Sequence, residues 1–123
     1  MYRFLALALL LASTSSLRAQ DWVLRDGDQP LSLAQMQDLM GRALTFYDDG
    51  VSKYSAGGAY SYTYGPQNGG GTAFGTFEIA EDGSVCTAFR NGFSRCDLLV
   101  MNAGRMILIT ETGDRFPIRP KGN

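Results

Sequence analysis

The chain has 123 residues, 45% hydrophobic and 11% aromatic, with 11 Lys and Arg against 12 Asp and Glu, no histidine and two cysteines. A net charge of −1 gives no electrostatic footprint for nucleic acid. Without histidine the commonest general base is missing, and with it Ser-His-Asp and Cys-His catalysis, while two cysteines cannot supply the four ligands of a zinc centre; neither a metal nor a cofactor is expected.

The opening stretch, MYRFLALALLLASTSSLRAQ, carries one positive charge at Arg3, an apolar run from Phe4 to Ala12, and small polar residues up to Ala19. This three-part pattern predicts a secretory signal peptide over 1–19. The apolar run is about half of the ~20 residues that span a bilayer, so no membrane span is expected after cleavage. The predicted product, 20–123, is a single small domain exported to the periplasm or the medium. It has lost Arg3 and Arg18 but none of the acidic residues, which makes it more acidic than the whole chain.

A short extended entry, Asp21 to Pro30, leads into the one clear helix signal, over about 33–40. Ser32 and Gln35 form a capping box, Leu31 and Met36 are spaced as a hydrophobic staple, and Leu33, Met36, Leu39 and Met40 share one face. Gly41 ends it.

Everything later reads as strands and turns. Turn signals recur at Asp49-Gly50, Gly57-Gly58, Gly65 to Gly71, Asp82-Gly83, Asn91-Gly92, Asn102-Ala103-Gly104 and Thr112-Gly113. Between them lie LTFY, VSKY, AYSYTY, TAFGTFEI, SVCTAF, FSRCDLLV, RMILIT and RFPI, about eight strands rich in aromatic and β-branched residues. Connections this short forbid parallel crossovers. The predicted fold is therefore mainly β: an up-and-down antiparallel meander, its edges hidden by curling toward a barrel, with the short helix packed on it. Met106 to Ile109 is apolar on both faces and is expected to be the most buried strand, whereas Pro117 marks the last strand as an edge.

Cys86 and Cys96 flank Asn91-Gly92, the strongest short hairpin signal. A three-residue loop, Arg90 to Gly92, with Gly92 in a left-handed bulge position, sets Phe89 against Phe93 and Cys86 against Cys96. The cysteines then fall at a pair without ladder hydrogen bonds, where α-carbons approach closest. In an oxidising compartment this predicts a disulfide. The two faces of the hairpin are both part-apolar. One carries Val85, Phe89, Phe93 and Leu99 with Arg95 and Asp97, and the other carries Cys86, Ala88, Cys96, Leu98 and Val100. The disulfide side is read as the core because an isolated charge is expensive to bury.

Two classes of site remain. Paired carboxylates drawn from Asp48, Asp49, Glu78, Glu81, Asp82 or Asp97 would support a small hydrolase, but Asp49, Asp82 and Asp114 lie in turns that favour aspartate on local grounds. Gly69 to Gly71 lacks the phosphate-loop spacing and a following helix, and reads as a mobile hairpin connection. The alternation of Tyr60, Tyr62 and Tyr64 with Ser61 and Thr63 puts three rings on one face, either covering the core or stacking on a flat ligand. Tyr60, Tyr62, Tyr64 and Asn68 of the adjoining glycine loop are the candidate binding residues.

Five motifs in order resemble small secreted proteobacterial proteins of uncharacterised function. They are Tyr60 to Tyr64 after Gly57-Gly58, Gly75-Thr76-Phe77-Glu78-Ile79, Asp82-Gly83-Ser84-Val85-Cys86, Arg95-Cys96-Asp97 and Gly113-Asp114-Arg115-Phe116-Pro117. The resemblance implies an envelope protein with one disulfide and a compact β domain, and brings no substrate or catalytic residue with it. The expected function is a non-catalytic exported domain that binds an envelope protein or glycan, the alternatives being the carboxylate hydrolase and a purely structural envelope role.

Overall fold

The computed structural model describes residues 21–120; the expected signal peptide lies outside the described residues. In chain order the elements are β1 (Gln29–Pro30), α1 (Leu33–Leu39), β2 (Ala43–Thr45), β3 (Val51–Tyr54), β4 (Ala59–Thr63), β5 (Thr72–Ile79), β6 (Val85–Phe89), β7 (Ser94–Asn102), β8 (Arg105–Thr110) and β9 (Arg115–Pro117). Strands β2 to β9 pair with their sequence neighbours, all antiparallel, as the short connections require. The extra strand β1 is only two residues long and pairs with β7. It is too short to leave a signal in the sequence.

The sheet curls until its first and last strands meet at a bridge between Phe46 and Ile118, with the Arg119 amide donating to the Thr45 carbonyl at 2.8 Å. Curling hides most of the edge that a flat meander would expose. At the last strand Pro117, which has no N–H to donate, faces Ile107.

Helix α1 starts as the sequence dictates. The Ser32 hydroxyl accepts from the Gln35 amide at 3.1 Å, and the Gln35 side chain accepts from the Ser32 amide at 2.8 Å. Leu31, Met36 and Leu39 join the main core, whereas Leu33 is exposed. In a helix of 7 residues docked on a curved wall, the apolar stripe narrows to Met36 and Leu39, and Leu33 falls outside it. The Leu31 amide bonds to the Leu99 carbonyl and the Gly41 amide to the Tyr54 carbonyl, which seats the helix over one end of the curled sheet.

The main core lies inside the curl and includes Leu44, Tyr54, Tyr60, Phe77, Val85, Leu99 and Leu108. This overturns the expectation for the hairpin: the face of Val85, Thr87, Asp97 and Leu99 is buried here, and the disulfide lies on the outer surface, half-buried. The charges on the inner face are tolerated because they are not isolated; Arg95 and Asp97 pair with each other at 2.9 Å. The hairpin register is the predicted one, with Cys86 opposite Cys96, their α-carbons 4.0 Å apart and the sulfurs bonded. The Phe89 amide donates to the Phe93 carbonyl, the Gly92 amide to the Phe89 carbonyl, and Gly92 takes φ 89°.

A second, smaller core of Leu98, Val100 and Ile109 sits on the outer face, covered by Trp22. The segment from Asp21 to Leu31 runs across this face as a strap. Its anchor is Asp28, which receives both Nη atoms of Arg115 at 2.7 and 2.8 Å and the Asn102 amide at 2.8 Å. Because the strap and β6, β8 and β1 all border β7, the most deeply buried strand is β7 through Leu98, Leu99 and Val100, and Met106 and Ile107 of β8 are only half-buried.

Candidate functional site

Phe93, just before β7, and Arg95, Asp97 and Leu99 within it share one inner face, which passes from the end away from the helix to the end beneath it. The helix plugs one end of the curl. The other end is open and holds a cavity of about 400 Å³. Its walls are mostly aromatic: Phe46, Tyr62, Tyr64, Phe89, Phe93 and Phe116, with Tyr47 at the rim. Four of these, Tyr47, Tyr64, Phe93 and Phe116, remain between 46% and 58% exposed. Half of the large exposed apolar side chains among the described residues therefore crowd one opening, where folding alone would leave them scattered.

An aromatic row leads from this opening into the core. Phe77 packs on Tyr54 with centroids 5.2 Å apart, Tyr54 on Tyr60 at 5.0 Å, Tyr60 on Phe89 at 5.7 Å and Phe89 on Phe93 at 6.0 Å. On the facing wall Tyr62 meets Tyr64 edge-on at 4.9 Å and Phe46 at 6.4 Å. Rings braced in this way hold their faces fixed before any ligand arrives.

The three candidate tyrosines are thus graded by depth. Tyr60 is buried and its hydroxyl shares a 3.0 Å hydrogen bond with Ser52, itself fully buried. Burial pushes the Tyr60 hydroxyl to a higher pKa than usual. Tyr62 is half-buried in the wall, and Tyr64 stands at the rim. One strand face supplies both core and opening because β4 runs out of the core as it nears the glycine loop.

Asn68 is not among the residues lining the cavity; it sits at the end of a short 3-10 turn, Pro66–Asn68, and donates to the Asp48 carboxylate at 3.1 Å. Gln67 donates to the Asp48 carbonyl, and the other Asp48 carboxylate oxygen accepts from the Gly50 amide at 2.9 Å. The glycine loop read from sequence as a mobile connection is therefore tied to the β2–β3 turn and buttresses the rim.

At the depth of the cavity lies Arg95, its guanidinium carbon 5.9 Å from the centroid of the Phe89 ring. The Arg95 Nε lies 2.9 Å from Asp97 Oδ2, with the Arg95 side chain 36% exposed and the Asp97 side chain 3%. Burial drives the Asp97 carboxyl upward in pKa, Arg95 opposes this, and Glu111 adds to the rise. No described residue accepts a hydrogen bond of good geometry from Arg95, and among its atoms only Nε is both buried and unbonded. The guanidinium lies close enough to the Tyr60 hydroxyl to oppose the rise that burial gives it, and Arg95 lines the cavity.

The carboxylates considered from sequence are dispersed. Asp49 holds a left-handed turn position at φ 66° and pairs with Arg119 at 3.1 Å, Asp82 accepts from Trp22 Nε1 and from Ser84, and Glu78 is exposed on β5. Among the described residues no group of three or more Cys, Asp or Glu gathers as a metal site. No helix among them is long and apolar enough to cross a membrane.

Tyr47, Phe93, Arg95 and Phe116, none of them among the candidate binding residues, also line the cavity. The Asn91-Gly92 register alone puts Phe93 and Arg95 on one face beside Phe89. Phe46, Tyr47 and Phe116 join them only because the sheet curls round to bring β2 against β9. Compared with protein-family models, curated proteins and solved structures, the chain matches none.

Proposed function

We propose that this protein is a non-catalytic, exported binding domain of the cell envelope whose site is the aromatic opening of the curled sheet. The single observation that carries this reading is the convergence of Tyr47, Tyr64, Phe93 and Phe116, all about half exposed, on one 400 Å³ cavity. Concave, largely apolar sites with a few convergent polar groups are the usual form of a binding pocket. Export is supported by the signal-like leader, the Cys86–Cys96 disulfide and the resemblance to small secreted proteins. The partner is an envelope component, protein or glycan, that inserts a flat or apolar group between the rings.

A photo-crosslinking side chain placed at Tyr64 or Phe93 tests this in intact cells, with Phe74 as the control. Phe74 is equally exposed, but it does not line the cavity and stacks with Arg90. Adducts from Tyr64 and Phe93 but not from Phe74 support the reading. Adducts from all three positions alike, or from none, defeat it.

A further inference from the structure

Resting on that reading of the cavity, we infer that the inserted group is an acidic sugar residue, its ring face on the exposed aromatics and its single carboxylate on Arg95. Arg95 is only partly engaged by its neighbours. Its Nε is turned to Asp97, and an arginine so engaged still has a pair of end-on N–H donors in the geometry that matches a carboxylate. The Tyr60 hydroxyl approaches the guanidinium from the core, but neither terminal nitrogen makes a hydrogen bond of good geometry to a described residue, and Arg95 lines the cavity below the aromatic rim. A half-buried guanidinium with a spare pair of donors is suited to a carboxylate, because charge-assisted bonds to one are among the strongest available to it.

Charge selects a monoanion. Arg95 is the one cationic side chain among the lining residues, and Asp97 behind it and Asp48 at the rim are both acidic. A dianionic phosphate would bring two charges to one guanidinium already shared with Asp97, whereas a single carboxylate matches its remaining pair of donors.

The walls select a ring with an apolar face and a polar edge. Rigid exposed rings offer flat faces to stack on, and the lining holds few aliphatic side chains that would wrap an alkyl chain. The polar edge has a partner at the rim in Asn91, whose side-chain oxygen is used by the Phe93 amide at 2.9 Å and whose NH₂ has no partner among the described residues. A peptide strand fits less well, since β2 and β9 are already joined at Phe46 and Ile118 beside the cavity.

The test is a titration followed by amide NMR with two matched disaccharides, cellobiouronate and cellobiose, which differ by a carboxylate in place of a hydroxymethyl group. The expected result is shifts confined to Tyr64, Phe93, Arg95 and Thr110, with cellobiouronate bound ~10-fold or more tightly, as a charge-assisted bond should give. Since Arg95→Gln alone would strand Asp97, the double variant R95Q/D97N keeps the pair neutral and is expected to bind both sugars equally while remaining folded. Equal binding of both sugars by the wild type overturns the carboxylate inference and leaves the cavity reading standing. Binding of neither overturns the sugar inference, and the crosslinking at Tyr64 and Phe93 then decides separately whether the cavity is a site at all.

Discussion

The Arg95 Nε and the Asp97 Oδ2 meet 2.9 Å apart on the inner face of β7, at the point where the core gives way to the open cavity. The pair lets one strand face carry both. Asp97 is nearly sealed beneath Arg95, and Arg95 reaches the cavity. Removing one partner strands the other, so Arg95→Met is expected to cost about 2–4 kcal/mol at neutral pH, below the upper range for sealed pairs because Arg95 is partly exposed. Burial already raises the Asp97 pKa, and a carboxyl raised in the folded state favours folding below its unfolded pKa and loses that contribution as pH rises through the folded pKa. The Arg95→Met variant should therefore regain stability on acidification, measured by urea unfolding between pH 4 and pH 7, and adding Asp97→Asn should restore part of the loss at neutral pH.

The disulfide joins Cys86 and Cys96 across a hairpin whose register Gly92 sets independently. Because the bridge lies on the outer surface, its loss removes no core contact, and the effect should be that of releasing the unfolded chain. Cys86→Ala with Cys96→Ala is expected to lower unfolding free energy by about 2.5–3 kcal/mol on the loop-entropy model. The sign of success is an unchanged amide spectrum of the cavity residues alongside a lowered urea midpoint.

Asp28 and Arg115 close the strap with two hydrogen bonds of 2.7 and 2.8 Å. The Arg115 fork holds the Asp28 carboxyl far below the usual carboxylate range, against the opposing effect of burial. A depressed carboxyl contributes stability that is present above its unfolded pKa, about 3.9, and is lost as pH falls from there toward the folded value. The strap should hold to near pH 4 and weaken below it. Asp28→Asn is expected to cost about 3 kcal/mol or more at neutral pH and to remove this acid dependence, with Trp22 fluorescence reporting exposure of the outer core.

Much of this architecture is legible in the residues. The turn glycines and the alternating runs fix the strands and, through short connections, their antiparallel order. Ser32 and Gln35 fix the start of the helix. What local signals do not carry is which face of a two-sided strand turns inward. Around Cys86 and Cys96 both faces are part-apolar, and the outcome depends on whether Arg95 and Asp97 can meet as an ion pair at a distance of two residues, a property of the folded pair. The site itself is half legible. Tyr62, Tyr64, Phe89 and Phe93 follow from strand alternation and hairpin register, whereas Tyr47 and Phe116 enter only through the closing of the sheet at Phe46 and Ile118.

Gly65 is buried, and a Cβ there would clash with the Asp48 carbonyl oxygen, a backbone atom that can move only with its turn. Gly65→Ala is expected to push the 65–71 loop off the β2–β3 turn and break the Asn68–Asp48 contact. Stability should fall by about 1–3 kcal/mol, and hydrogen exchange at Gly50 and Tyr64 should quicken.

The most direct test of the aromatic opening as a binding site is the triple variant Tyr64→Ser, Phe93→Ser and Phe116→Ser, examined for stability and for recovery of crosslinked partner from a reporter at Tyr47. Because these rings are about half exposed, the expected outcome is a folded protein within about 2 kcal/mol of the wild type and loss of the Tyr47 adduct. Full retention of the adduct, or a collapse of the fold that shows the rings to be core, would contradict it.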